Sequence, residues 1–288
     1  MHPPVTAGVD GSAASLAAAV WAAEEAALRR TRLHLVAALG AAPDVRTPVA
    51  ERAERTSVAG PADRRQWARR SLRLAEDRVR TRRPRLEITS EIVSAAPMDA
   101  LLDAGGDAQL LALGSYGLGN VSARTLGSTG PALAVRAPFP VALVRQAYQA
   151  PRRAPVLLGL DARRPADELI GQAFEEAAVR EVPLQVVHAW QPPGPAQVYP
   201  ANLRPPRAEQ RLARRAAKRL PEVLVPWREK WPEVRVIEDF TEENAARAVA
   251  CRSSMACLVV LGVRALLGPV THSTLQQAHC PVLLVPHT

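Results

Sequence analysis

The chain repeats itself, and this internal repeat is the feature that most restricts its fold. Residues 7–10 read Ala-Gly-Val-Asp and are matched by Leu-Gly-Leu-Asp at residues 158–161. Further matched segments are residues 24–26 with 175–177, Arg29 with Arg180, residues 110–114 with 258–262, and residues 139–144 with 280–285. The 288-residue length therefore suits two copies of one domain of roughly 140 residues better than a single domain.

The two copies are predicted to occupy residues 1–148 and 155–288. The stretch around residues 149–155 contains Pro and Arg, a composition that suits an exposed linker. The expected strands are residues 5–9, 33–38, 86–93, 110–114 and 141–144 in the first copy, and residues 156–160, 184–189, 234–238, 258–262 and 282–285 in the second. Continuously apolar strands that alternate with helices predict an α/β fold whose parallel sheet is covered on both faces.

Amphipathic spacing predicts helices between these strands. In the first copy they are expected at residues 13–30, 63–83, 98–104 and near 129–137. Ser12 precedes the first of them and is a suitable N-cap. In the second copy a long helix at residues 206–230 is expected to be broken by Pro221 and Pro226, because proline removes a backbone donor.

The net charge is +9, and the excess lies in two clusters. Residues 64–85 contain ten arginines, and residues 204–219 contain seven basic residues. Both clusters fall on the same helix of the repeat, and Trp67 is the one aromatic residue among them. A solvated helix face is therefore favoured over nucleic-acid binding, which would need strongly salt-dependent phosphate contacts.

Several other classes are disfavoured by composition. No apolar run is long enough to span a membrane, and no secretory signal is visible at the N-terminus. The three cysteines form no Cys-x-x-Cys pair, and the histidines are scattered, which argues against disulfides and against a metal site. A cytoplasmic protein is expected.

The clearest motif is a glycine-containing loop that follows the apolar strand at residues 110–113. Its skeleton consists of Gly114, Gly117, Gly127, Ser128 and Thr129, with two residues between the first two glycines and nine before the third. Glycines allow backbone amides to approach phosphate oxygens, and a following helix N-terminus adds free amides and positive dipole charge. In a doubly wound sheet, ligands bind beyond the carboxyl ends of the strands, where this loop lies.

Together with Val9 and Asp10 at the end of the first strand, this loop resembles that of the universal stress protein family. The resemblance covers nearly the whole chain, twice. It implies that the loop glycines with Ser128 and Thr129 hold the ribose and phosphates of ATP. It also implies that Asp10 and Val9 lie near the adenine and ribose, and that a main-chain group of Ala38 meets the adenine.

The second copy departs from this pattern. After Gly262 about seven loop residues are missing, and Pro269 stands in place of Ser128, which removes a hydroxyl and an amide donor. Asp161 is retained, but its partners are not. The second copy is therefore predicted not to bind ATP in the same way.

The resemblance implies two five-stranded domains of strand order 3-2-1-4-5 that pair through residues 141–144 and 282–285 into a pseudo-twofold. The function it implies is a cytoplasmic stress-response regulator that binds ATP, with or without Mg²⁺, has little or no ATPase activity, and acts on a regulatory protein partner that the sequence does not identify. A homodimer of the whole chain stays open.

Three alternatives also stay open. The glycines could shape only a turn and Asp10 could only cap a helix, which would leave an interaction scaffold that binds no nucleotide. An enzyme on a similar fold is disfavoured because no catalytic triad or paired-carboxylate motif is present. A nucleic-acid partner is disfavoured for the reason given above.

Overall fold

The structure is a computed structural model that describes residues 2–40, 60–115, 129–145, 153–191 and 208–287. The chain divides into two compact units, Met1–Ala147 and Tyr148–Thr288. Each unit is an α/β domain with a parallel sheet.

Among its described residues, the first domain contains five strands and four helices. The strands are β1 (Val5–Gly8), β2 (Leu33–Ala38), β3 (Ile88–Val93), β4 (Leu110–Gly114) and β5 (Val141–Val144). The helices are α1 (Ala13–Leu28), α2 (Pro61–Arg82), α3 (Pro97–Gly106) and α4 (Thr129–Arg136). All paired strands are parallel, and their order is β3-β2-β1-β4-β5, which confirms the predicted 3-2-1-4-5 arrangement.

Burial differs among the strands of this sheet. Strands β1 and β5 are buried along their whole length, and β4 is buried except at its last residue, whereas the edge strand β3 is partly exposed. Helix α1 packs on β1 and β4 through a face of alanines, including Ala18, Ala19 and Ala22, which are fully buried. Each fully buried leucine of the sheet, such as Leu35 or Leu111, contributes about 2 kcal/mol of hydrophobic stabilisation.

The second domain repeats the architecture. Its strands are β6 (Val156–Gly159), β7 (Leu184–Ala189), β8 (Val236–Thr241), β9 (Leu258–Val263) and β10 (Val282–Pro286). Its described helices are α5 (Asp167–Arg180), α6 (Ala208–Lys230), α7 (Ala245–Arg252) and α8 (Pro269–Gln277), with a single turn of 3-10 helix at Ser253–Met255. The strand order β8-β7-β6-β9-β10 is that of the first domain.

Helix α6 runs through both of its prolines, so the predicted break at Pro221 and Pro226 was wrong. Each proline removes one backbone hydrogen bond. Leu220 and Leu224 of the same helix are buried in the domain core, and this packing offsets the lost bonds. Pro226 itself is exposed.

A buried ion pair occurs at the same place in both domains. In α5 the Arg180 guanidinium binds the carboxylate of Glu176 one turn earlier, and Gln172 Nε2 donates to Glu176 Oε1 at 2.9 Å. In α1 the equivalent Arg29 Nε lies 3.8 Å from Glu25 Oε2. The sequence repeat aligns Glu25 with Glu176 and Arg29 with Arg180, and both glutamates are buried in the structure.

Candidate functional site

A cleft of about 450 Å³ opens at the carboxyl ends of β1 and β2 in the first domain. The strand ends contribute Val9, Asp10 and Ala38, and the first turns of α2 contribute Asp63, Arg64 and Trp67. Adjacent parallel strands end at the same edge of a sheet, which is why Val9 and Ala38 meet although they are far apart in sequence. Three of the predicted site residues are thus brought together.

Asp10 organises the turn that leads from β1 into α1. Its Oδ1 accepts a hydrogen bond from the backbone N–H of Ser12 at 2.9 Å. Ser12 Oγ in turn accepts from the N–H of Ser15 at 3.1 Å, which confirms Ser12 as the N-cap of α1. The Asp10 residue remains exposed, so holding the turn leaves the carboxylate accessible to a ligand.

Trp67 closes one side of this cleft. Its Nε1 donates to the backbone oxygen of Asp10 at 3.1 Å, and the residue remains 50% exposed. Gly11, at φ +85, lies beneath it: a Cβ there would be 2.4 Å from Ser71 Oγ and 3.1 Å from the indole. The turn after Asp10 therefore requires glycine, both for its left-handed backbone and for the close approach of α2.

Gly114 ends β4 next to the end of β1, since the strand register pairs Ala7 with Ala112. A Cβ on Gly114 would lie 2.7 Å from backbone atoms of Ala14 and Ser15. The glycine is therefore needed for the close packing of α1 on β4, independently of any ligand.

The remaining members of the predicted loop cannot be placed in the same way. Gly117, Gly127 and Ser128 lie outside the described residues. Thr129 is the first residue of α4 and is exposed.

The second domain has its own cleft, of about 410 Å³, at the carboxyl ends of β6, β7 and β9. Asp161, the counterpart of Asp10, accepts from the backbone N–H of Arg163 at 3.1 Å and binds the Arg163 guanidinium through both oxygens. Burial acts to raise the pKa of Asp161, but these hydrogen bonds outweigh burial and hold the pKa below its usual value.

The buried ring of His188 contacts the backbone on both sides of Asp161. Its Nδ1 lies 3.1 Å from the backbone oxygen of Leu160 and 3.4 Å from the backbone nitrogen of Ala162. Burial lowers the pKa of His188, which keeps the ring neutral at neutral pH. In the neutral ring, Nδ1 either donates to the backbone oxygen of Leu160 or accepts from the backbone N–H of Ala162, so the tautomer determines which of these two hydrogen bonds forms.

The sequence model of the universal stress protein family matches residues 1–145 and again residues 153–286. The chain belongs to the universal stress protein family. It is 32% identical over 291 residues to the universal stress protein Rv2005c of Mycobacterium tuberculosis, covering 97% of this chain and 96% of that protein. It is also 32% identical over 301 residues to Rv2623 of the same organism, covering 97% and 95% respectively. This universal stress protein therefore has relatives with the same tandem length.

Solved structures agree on the fold. A universal stress protein from Archaeoglobus fulgidus superposes with a TM-score of 0.65 at 14% identity, covering 100% of both chains. A putative universal stress protein from Pseudomonas aeruginosa superposes with a TM-score of 0.58 at 14% identity, covering 99% of this chain and 92% of that one. At such identities these similarities establish the architecture of the universal stress protein.

The described residues contain neither a metal-binding cluster nor a membrane-spanning helix. No group of three His, Cys, Asp or Glu side chains in the described ranges is arranged to hold a metal ion. Among the helices that the structure describes, none is long and apolar enough to cross a membrane.

The cleft residues that sequence reasoning missed in this universal stress protein are Asp63, Arg64 and Trp67. Trp67 lies four residues after Asp63 and three after Arg64, so it is a neighbour of both on the surface of α2. The arginine content of residues 64–85 predicted a solvated helix face. For that reason the first turns of α2 were not predicted to line a cleft at the strand ends.

Proposed function

We propose that the first domain binds ATP and that the protein is a stress-response regulator with little or no ATPase activity. The observation that carries the proposal is the first-domain cleft, where Val9, Asp10 and Ala38 meet beside an exposed indole. Its volume of about 450 Å³ falls in the range of small-molecule sites.

The chemistry of this cleft suits an adenosine. Val9 and Ala38 offer apolar contact and main-chain groups, and the face of Trp67 can stack on a purine. The exposed Asp10 carboxylate can accept hydrogen bonds from ribose hydroxyls. The triphosphate would then extend past Gly114 towards the amides at the start of α4, which lies where the family pattern has its phosphate loop.

ATP binding would act as a switch by favouring one arrangement of the glycine loop and hence one surface for a protein partner. Hydrolysis is expected to be far slower than the typical enzyme turnover of roughly ten per second, because the loop sequence provides no general base. If Mg²⁺ accompanies ATP, the phosphates would supply most of its ligands with one carboxylate at most.

Equilibrium titration with a fluorescent ATP analogue tests this proposal. We expect about one site per chain, with binding abolished by Gly127→Ala combined with Ser128→Ala. Trp67→Ala should weaken binding by about tenfold through lost stacking. Leu74→Ala, which removes a 43% exposed side chain from the same helix, is the matched control and should leave affinity unchanged.

Mass spectrometry of nucleotide released from the denatured, purified protein provides an independent measurement. The alternative, an interaction scaffold that binds no nucleotide, predicts neither released ATP nor a titration signal. Two equivalent sites per chain would contradict the predicted difference between the domains.

A further inference from the structure

The second-domain cleft carries a positive charge. Arg163 and Arg164 line it from the loop before α5, and Arg264 lines it from the loop after β9. Asp161 is the only carboxylate among the described residues of this lining. The described lining of the first-domain cleft has the opposite balance, with two aspartates against one arginine. The two clefts thus have different charges at the same place in the fold.

Two of these arginines are not neutralised by any described residue of the second domain. Arg163 is held by Asp161, with Nε to Oδ1 at 3.0 Å and Nη2 to Oδ2 at 3.1 Å. Across residues 153–191 and 208–287, neither Arg164 nor Arg264 forms an ion pair with a carboxylate. Both residues are exposed and border one concave cavity, where like charges raise the local potential and attract an anion.

The loop above this cleft is too short to hold a triphosphate through backbone amides. Only five residues separate the end of β9 at Val263 from Pro269, whereas fourteen separate β4 from α4 in the first domain. Pro269, the first residue of α8, has no N–H to donate. The guanidinium groups of the lining can supply phosphate recognition instead, because they bind phosphate oxygens through paired hydrogen bonds.

We propose that the second-domain cleft binds a compact phosphate-bearing ligand, either free phosphate or a small phosphate monoester, through Arg164 and Arg264. The buried side chains of Leu169, Val249 and Leu261 line the same cavity and leave an apolar wall for the body of a monoester. This site is separate from the proposed ATP site and does not depend on it.

Isothermal titration of the full chain with orthophosphate, ribose 5-phosphate and AMP tests the proposal and distinguishes the two ligand sources. Arg164→Ala combined with Arg264→Ala should weaken the tightest of the three by roughly tenfold or more. The control is Arg219→Ala combined with Arg235→Ala, which removes two exposed arginines that do not line the cleft and should leave affinity unchanged.

Two further variants keep the test decisive if the alanine variant fails to fold. Arg164→Lys combined with Arg264→Lys retains both charges but loses the paired guanidinium donors, so it should bind less tightly than the parent while still binding measurably. Asp161→Asn removes the nearby negative charge but keeps an oxygen to accept the Arg163 N–H, so it should tighten phosphate binding.

Three outcomes would overturn the proposal. The first is the absence of binding by all three probes at about 10 mM. The second is an equal loss of affinity in the alanine variant and in its control. The third is that ATP binds this cleft as tightly as the tightest-binding monophosphate does. That result would show that the short loop does not restrict the size of the ligand.

Discussion

Replacement of Glu176 by Gln is expected to destabilise the second domain strongly although it barely changes the shape of the side chain. Glu176 is fully buried, and the side chain of its partner Arg180 is only 9% exposed. Arg180 also donates to the backbone oxygen of Glu176 at 3.0 Å, which holds the guanidinium inside the domain when its carboxylate is lost. The variant therefore removes the carboxylate charge that Glu176 places against the buried Arg180 guanidinium.

Removing one member of a buried ion pair reduces the free energy of unfolding by about 3 kcal/mol or more. For a domain of this size that corresponds to a fall in melting temperature of roughly 10 °C. Replacing both members, as in Glu176→Leu with Arg180→Leu, should instead recover stability to within about 1 kcal/mol of the parent, because two desolvated charges are removed together.

Hydrogen exchange followed by mass spectrometry can assign the effect to one domain. Peptides from β6 and β9 should exchange faster in Glu176→Gln, and peptides from β1 and β4 serve as the internal reference. Glu222→Gln, at an exposed position of α6, is the matched control and should change stability by less than about 0.5 kcal/mol. The reasoning fails if Glu176→Gln costs less than about 1 kcal/mol, or if the double leucine variant is less stable than the single one.

Two other substitutions follow from the packing and the charges. Gly114→Ala should destabilise the first domain by about 2 kcal/mol because its Cβ would meet the backbone of α1, whereas Gly106→Ala, where a Cβ meets nothing within 4 Å, should be nearly neutral in thermal denaturation. Burial acts to raise the pKa of Asp239, but hydrogen bonds from Arg252 and Gln185 hold it below its ordinary value of 3.8. The ionised carboxylate thus stabilises the fold above that pH, and this contribution is lost as the pH falls through the lowered pKa. In urea titrations at several pH values, Asp239→Asn should therefore reduce the fall in the free energy of unfolding at acidic pH. An unchanged fall would contradict the role given to Asp239.

The central strands were predictable from sequence, and the edge strands less so. Strands β2, β4 and β7 have the predicted bounds because each consists mostly of apolar residues. Strand β3 begins two residues later than expected, and β8 covers residues 236–241 instead of 234–238. Both are edge strands with exposed polar residues, so an apolar run does not mark where the backbone stops pairing.

The sites divide in a similar way. Val9, Asp10 and Ala38 could be predicted because each ends a recognisable strand. The role of Trp67 could not, since its contact with Asp10 spans 57 residues and depends on where α2 crosses the sheet. The same holds for Arg164 and Arg264, which are a hundred residues apart and share a cleft only because β6 and β9 are neighbours.

The fourth strand of each domain approaches its end at a glycine that lies in a crowded place. A side chain on Gly114 would collide with the first turn of α1, and one on Gly262 would collide with His287 and Leu169. Steric demand alone is thus enough to retain Gly114, because its clash is with backbone atoms, whereas the clash at Gly262 is with the end of the His287 side chain. A glycine at the end of the fourth strand therefore reflects the packing of the fold and is not in itself evidence of a ligand site. After a gene duplication, the loop that follows the glycine can change while the packing of the domain is kept. One domain can then retain its original function while the other acquires a new one.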